Sequence, residues 1–236
     1  MEVFLLISVV FCAVFTQSLS GFGVALVAMS FLPGLLGIQV AAPLVALVAM
    51  TLEAVLLVRY RLSLNLRAVW PMVLASFVGI PIGVWGLKGL DEDLVLAFLG
   101  IVIAGYALYA LFQLRLKELR HPLWAYGAGF LAGILGGAYN TSGPPVVVYG
   151  DCKRWGPTEF KANLQGFFLL SDLFVVLNHA LGDNFTAEVW EYYLWCLPAI
   201  AAGIVLGLLI GRRLDPAVFR IVVLVLLVVL GLRLVF

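Results

Sequence analysis

The stretch that decides the fold is Tyr139-Asn140-Thr141-Ser142-Gly143-Pro144-Pro145. It lies inside an otherwise apolar run, 123–150, long enough to enter a lipid bilayer. Glycine and proline there predict an interruption of the helix. Backbone groups freed by an interruption cannot face hydrocarbon, so the segment must be buried in protein or line a cavity. A second run, 3–32, carries Thr16-Gln17-Ser18-Leu19-Ser20-Gly21-Phe22-Gly23 near its middle and predicts the same kind of break.

Six further apolar segments complete the chain, at 38–58, 68–87, 94–114, 160–181, 190–210 and 216–235. The composition agrees with eight membrane segments. Of 236 residues 64% are apolar and 11% charged, against about 25% charged in a soluble domain. The charges are clumped between the segments, and no soluble core would hide so many apolar runs. The expected fold is an all-α membrane protein, multi-pass in the cell (inner) membrane, with the lipid bilayer as its solvent. The start of the chain lacks the basic region of a cleavable signal, so Met1–Phe15 is expected to belong to the first segment.

The two interrupted segments are related by duplication. A shift of 122 places Ser20-Gly21 on Ser142-Gly143. A shift of 124 places Gly79, Gly83, Lys88, Leu90 and Asp91 on Gly203, Gly207, Arg212, Leu214 and Asp215. Two four-segment repeats are expected, 1–118 and 119–236, forming one transmembrane bundle. Basic residues suggest how they run, because cytoplasmic loops are enriched in Lys and Arg. If all eight segments cross, the split is seven to seven. If 123–150 enters and leaves on one side, Arg59, Arg61, Arg67, Arg115, Lys117, Arg120, Lys153, Arg154, Lys161, Arg212, Arg213 and Arg220 share a side and only Lys88 and Arg233 oppose them. By duplication 3–32 is read as re-entrant too, although its own flanking charges do not distinguish re-entry from spanning. Each repeat then has an odd number of crossings, so the second is inverted relative to the first. Inverted repeats with broken helices are a build of secondary transporters.

A half-helix beginning after either break aims free N–H groups and a positive dipole end at the gap, which favours an anion. Glycine at Gly21 and Gly143 is expected to supply backbone angles that other residues resist. The candidate substrate-binding set is Gln17, Ser18, Ser20, Gly21, Phe22, Gly23, Asn140, Thr141, Ser142 and Gly143, with Thr16 nearby. The two sites are expected to face each other across a pseudo-twofold axis. Asn163 and Gln165, early in segment 160–181, are further candidates for the cavity. Asp172, an acid in the middle of that segment, is the candidate for coupling to a proton or sodium ion, since buried ionisable groups in membranes are costly. Glu53 is weaker, because Arg59 or Tyr60 offers it an interfacial partner. Lys161 reads as a topology anchor, and Trp155, Trp190, Tyr192, Tyr193 and Trp195 as interfacial aromatics.

The pattern Ser18-Leu19-Ser20-Gly21-Phe22-Gly23 with Gly133-x-x-Gly136-Gly137-x-x-Asn140-Thr141-Ser142-Gly143, in two apolar repeats, resembles the sulfite exporter TauE/SafE family of membrane proteins. The resemblance covers nearly the whole chain. It implies outward movement of sulfur-containing anions, such as sulfite or organosulfonates, by a secondary transporter working through alternating access.

Other classes are disfavoured. A net charge of +1 gives no case for nucleic acid. Cys12, Cys152 and Cys196 are scattered, suggesting neither disulfides nor a metal site. No P-loop is present, and no cofactor is implied. An anion channel would need a continuous polar path rather than two polar breaks. A rhomboid-like intramembrane protease using Ser142 and His179 is weaker still, because the repeat partner of His179 is Leu57, which is no base. The chain is therefore not expected to be an enzyme. A homo-oligomer is left open.

Overall fold

A computed structural model of the chain describes residues 2–86, 92–112, 118–119, 121–210, 221, 224–225, 227–229 and 231–232. Nearly all of them are helical, and no strand occurs among the described residues. The helices are α1 (Glu2–Ser20), α2 (Val24–Leu36), α3 (Ile38–Tyr60), α4 (Leu66–Gly86), α5 (Glu92–Leu111), α6 (Leu123–Tyr139), α7 (Gly143–Cys152), α8 (Pro157–Leu181) and α9 (Ala187–Ile210). Much of the expected last segment, 216–235, lies outside the described residues, as do Lys88, Asp91, Arg115, Lys117, Arg120, Arg212, Arg213, Asp215, Arg220 and Arg233.

Among the described residues, five helical stretches are long and apolar enough to cross a bilayer: Val3–Ser20, Ile38–Ser63, Leu66–Trp85, Pro157–Leu181 and Ala187–Ile210. Large apolar side chains such as Trp70, Trp85, Leu131, Leu194 and Val205 are exposed on their surfaces, which suits contact with lipid. Prolines stand inside α2, α3, α4 and α9. Such helices persist in a bilayer because no water competes for the backbone and neighbouring groups re-satisfy it.

Both expected breaks are present. The chain leaves the helix after Ser20 and resumes at Val24, and leaves it again after Tyr139 to resume at Gly143. The edges differ from expectation at two points. The first broken segment continues to Leu36 rather than ending near 32. Pro144 and Pro145 do not interrupt anything but lie in the first turn of α7, where proline's fixed φ is already helical and its missing N–H would have had no helical partner.

The chain forms two compact units, and each draws on both sequence halves. One comprises 1–45, 89–114 and 186–236; the other comprises 46–88 and 115–185. In the first, α1 packs against α2 and α9. In the second, α4 packs against α6 and α8, and α7 against α6 and α8. Glycines set the closest approaches. A Cβ added at Gly79 would lie 2.3 Å from the Phe130 carbonyl oxygen, and one at Gly83 2.2 Å from that of Ile134. The facing helix reciprocates: Gly129, Gly133 and Gly137 meet the backbone of Met72, Ser76 and Ile80. These are four-residue ladders of small residues that let helix backbones touch, as membrane helices do where water gives no hydrophobic drive.

The same device recurs in the first unit. Gly203 abuts Val14 and the Phe11 carbonyl, and Gly207 abuts Ser18 and the Phe15 carbonyl. Gly79 and Gly83 correspond to Gly203 and Gly207 under the repeat shift of 124. In each unit, therefore, the glycine pair of one half packs along the broken helix of the other half.

Candidate functional site

The first break is closed by its own residues. Gly21 and Gly23 take φ values of 93° and 116°, the left-handed region in which a side chain would be strained. The Gly21 N–H donates to the Gln17 carbonyl at 2.7 Å. The Gln17 side-chain oxygen accepts from the Val24 N–H at 3.0 Å and so occupies the start of α2. Nearby hydroxyls turn back onto their own helix. Thr16 donates to the Cys12 carbonyl at 2.7 Å and Ser18 to that of Val14 at 2.8 Å. The Ser20 hydroxyl lies 2.8 Å from the Thr16 carbonyl and accepts from Phe22 N–H at 3.3 Å. Phe22 packs edge-on against Tyr106 with ring centroids 5.8 Å apart.

The second break is built differently. Asn140 ends α6 in the left-handed conformation, φ 54° and ψ 15°, and its N–H donates to the Gly136 carbonyl at 2.8 Å. That is an αL cap, and asparagine tolerates it better than most residues. The expectation that Gly143 would carry the unusual backbone angle is corrected here. Gly143 is the first residue of α7, and the positive φ falls on Asn140. The Thr141 N–H donates to the Leu135 carbonyl at 3.2 Å. The Thr141 hydroxyl is fully buried with no hydrogen-bond partner. Ser142, also buried, makes no side-chain cap to the helix that it precedes.

The start of α7 therefore remains open where the start of α2 is plugged. Its donors are fewer than a helix start usually offers. Pro144 and Pro145 occupy the second and third helical positions and have no N–H. What remains for a ligand is the N–H of Ser142 and of Gly143, with the Thr141 and Ser142 hydroxyls beside them and the dipole of α7 behind. Phe168 on α8 borders the site, 3.9 Å from where a Gly143 Cβ would lie.

Asn163 and Gln165 are both fully buried in α8. The Asn163 side-chain oxygen accepts from the Asn65 N–H at 2.8 Å, holding the turn that leads into α4. Alongside, the Asn65 amide donates to Glu159 at 3.3 Å and the Lys161 ammonium sits 5.9 Å from the centre of the Tyr60 ring. Asp172 is buried one helical turn beyond Phe168, with the Glu53 side chain of α3 and that of Ser171 as its polar neighbours. Glu53 is thus buried inside the unit rather than drawn to an interface. Its partner was out of reach of sequence reasoning, because nothing in either segment announces that these two helices bring their acids together. His179, in the last turn of α8, pairs with the Asn184 amide at 3.0 Å. Among the described residues no group of three or more His, Cys, Asp or Glu side chains is placed to hold a metal.

Residues 6–234 match the family model described as Sulfite exporter TauE/SafE. The chain belongs to the TauE/SafE family. It is also 27% identical over 170 residues to the "Probable inner membrane transporter protein TsaS" of Comamonas testosteroni, covering 71% of each chain. No solved structure matches. As a TauE/SafE member the protein is a multi-pass inner-membrane transporter of small anions and not an enzyme, which removes the Ser142–His179 protease from consideration.

Proposed function

We propose that this TauE/SafE protein exports small sulfur-containing anions, such as sulfite or organosulfonates, by alternating access, and that the break before α7 is its principal anion site. The observation that carries the reading is the buried Thr141 hydroxyl without a partner at an open helix start. A buried hydroxyl left unsatisfied costs about 1–3 kcal/mol, a cost that a bound acceptor removes. A sulfite or sulfonate group presents several oxygens, all acceptors, to a site whose free groups are hydroxyls and N–H donors. The first break, stoppered by Gln17, would bind only if that side chain swung away. Gln165 lies on α8 one turn before Phe168 and completes the proposed lining, whereas the side-chain oxygen of Asn163 is held by the Asn65 backbone.

In this reading the repeats 1–118 and 119–236 are inverted and each broken segment is re-entrant. Two features support it: the one-sided distribution of basic residues, and the equivalent packing of Gly79–Gly83 and Gly203–Gly207 on broken helices. The short α7 fits as well, since 10 residues span about 15 Å, half of a hydrocarbon core.

The test is flux into liposomes containing the purified protein, with labelled sulfite, a simple alkylsulfonate and chloride. Saturable sulfite or sulfonate flux, accelerated by unlabelled anion on the opposite side, is expected. Non-saturating chloride flux without such acceleration would assign a channel instead.

A further inference from the structure

Lys161 reads from sequence as a topology anchor, and the structure turns it inward. The end of α3, the start of α4, the end of α7 and the start of α8 lie together in the second unit. The Asn65 amide donates to Glu159, the Lys161 ammonium meets the Tyr60 ring, and Phe160 lies against Gly150. That end of the unit therefore gathers Arg59, Arg61, Arg67, Lys153, Arg154 and Lys161, and the positive-inside reading makes it cytoplasmic. Arg59, Arg61, Arg67 and Arg154 are exposed. Lys153 donates to the Leu119 carbonyl at 3.3 Å. Lys161 is half-buried, with its ammonium 5.9 Å from the centre of the Tyr60 ring, within reach of a cation–π contact.

Its place is fixed from both sides. The turn that leads from Tyr60 into α4 is pinned to α8: Asn163 accepts from the Asn65 N–H at 2.8 Å, and Leu64 covers Gly166, where an added Cβ would lie 2.5 Å from the leucine Cδ1. Tyr60 is thereby held where the ammonium meets it. Lys161 is two residues before Asn163, about 200° around the helix, so it leaves α8 on the opposite side from that turn. Glu159, the acid nearest to it in sequence, leaves on the Asn163 side, where it accepts from Asn65. The Lys161 side continues inward with Gln165 and Phe168, four and seven residues on, as one stripe of the helix. Both are buried, and Phe168 borders Gly143 at the start of α7. The stripe thus runs about 10 Å along α8 from Lys161 to the open break. Asp172 lies one turn further in, so the base stands at the outer end of the stripe and the acid at its inner end.

We propose that Lys161 is the capture residue for the transported anion on the cytoplasmic side: it draws the anion to the outer end of this stripe, and Gln165 passes it to the break before α7. An ammonium carries three N–H donors and a primary amide two. An anion leaving water here meets a cation, then an amide, then the donors of the break. A cation at the approach to a site raises the local concentration of an oppositely charged substrate. Its effect falls on arrival, so it lowers KM for anion taken from this side and leaves the turnover of the loaded protein alone. The proposal rests on the anion-site reading for its destination and on the export reading for its direction.

The experiment has two arms, both on the full-length protein. The first measures initial uptake of labelled sulfite into inside-out membrane vesicles, whose outer face is the cytoplasmic one. Lys161→Gln should raise KM at least about fivefold at low ionic strength, with the maximal rate per protein held within about twofold. Added salt should raise the wild-type KM toward that of the variant and leave the variant's nearly constant, because salt screens the charge. Lys161→Arg should restore the low KM and its salt dependence. An unchanged KM in Lys161→Gln, or a raised KM that keeps the wild-type salt dependence, would overturn the proposal. The second arm needs no knowledge of the cargo. Gln165→Cys, with Cys12, Cys152 and Cys196 replaced by alanine, is treated in the same vesicles with an anionic and a cationic methanethiosulfonate, and modification is followed by mass spectrometry. Relative to their rates with a free thiol, the anionic reagent should be favoured at least several-fold, and Lys161→Gln should abolish that preference. No modification at position 165 from this side, or the same preference without Lys161, overturns the proposal. Absence of sulfite uptake together with a Lys161-dependent reagent preference would refute the cargo reading and leave the capture residue standing.

Discussion

Replacing Gly83 with alanine adds one methyl group where two helix backbones touch. The new carbon would lie 2.2 Å from the Ile134 carbonyl oxygen and 2.8 Å from the Ala138 nitrogen. Carbon–oxygen contacts in proteins settle at about 3.3–3.6 Å, so α4 and α6 must separate by about 1 Å at this point. The obstructing atoms are main chain, and no rotamer change relieves them. A radial gap of about that size forfeits a quarter to a half of the dispersion energy of each contact that it opens. Overpacking of this kind typically costs about 1–3 kcal/mol. Gly127, on α6, is the control, because nothing lies within 4 Å of an added Cβ. There alanine gains the usual helix preference of about 0.5–1 kcal/mol. The two variants should therefore differ by roughly 1.5–4 kcal/mol. Unfolding in mixed micelles of rising denaturing-detergent fraction measures this difference. Sulfite exchange should fall in Gly83→Ala alone, since α6 carries the break. Equal stability of the two variants would refute the backbone-contact argument, and with it the idea that glycines position the break.

Three further outcomes follow from the same geometry. Thr141→Val and Ser142→Ala should each weaken anion binding by about 1.5–3 kcal/mol, one hydrogen bond to a charged group; unchanged half-saturation for sulfite in both would move the site elsewhere. Asn140→Val should destabilise by about 1–3 kcal/mol through its left-handed backbone, whereas Gly143→Ala should be nearly neutral in stability, which thermal unfolding of the two variants would compare. On topology, cysteine probes in sealed cells should be labelled from outside next to Lys88 and not next to Arg154; equal labelling would refute the re-entrant, inverted arrangement.

Membrane residence and the place of both breaks were legible from composition and from a few glycines, because these depend on local chemistry. Apolar runs need lipid, and Gly21, Gly23 and the Asn140–Ser142 turn disrupt a helix wherever they stand. Residue roles within the breaks were not legible. Pro144 and Pro145 looked like breakers and serve as a first helical turn, because proline's effect reverses with its position by one or two residues. Gly133 and Gly137, part of the family pattern, serve here as points of helix contact, which only the placement of α4 against them reveals.

The tertiary structure decided what each polar group does. Matched sequences around Ser20 and Ser142 predicted two equivalent sites, yet Gln17 fills one helix start and Ser142 does not cap the other. Asn163 was a candidate ligand and holds the backbone of Asn65 from a loop far away in sequence. Asp172 stood out as a buried acid, but its meaning depends on Glu53, more than a hundred residues earlier. Local propensity acts over a turn or two of helix. Hydrogen-bond satisfaction and charge pairing are settled by whichever helices the packing brings together, and apolar segments so alike in composition carry little record of which neighbours they will have.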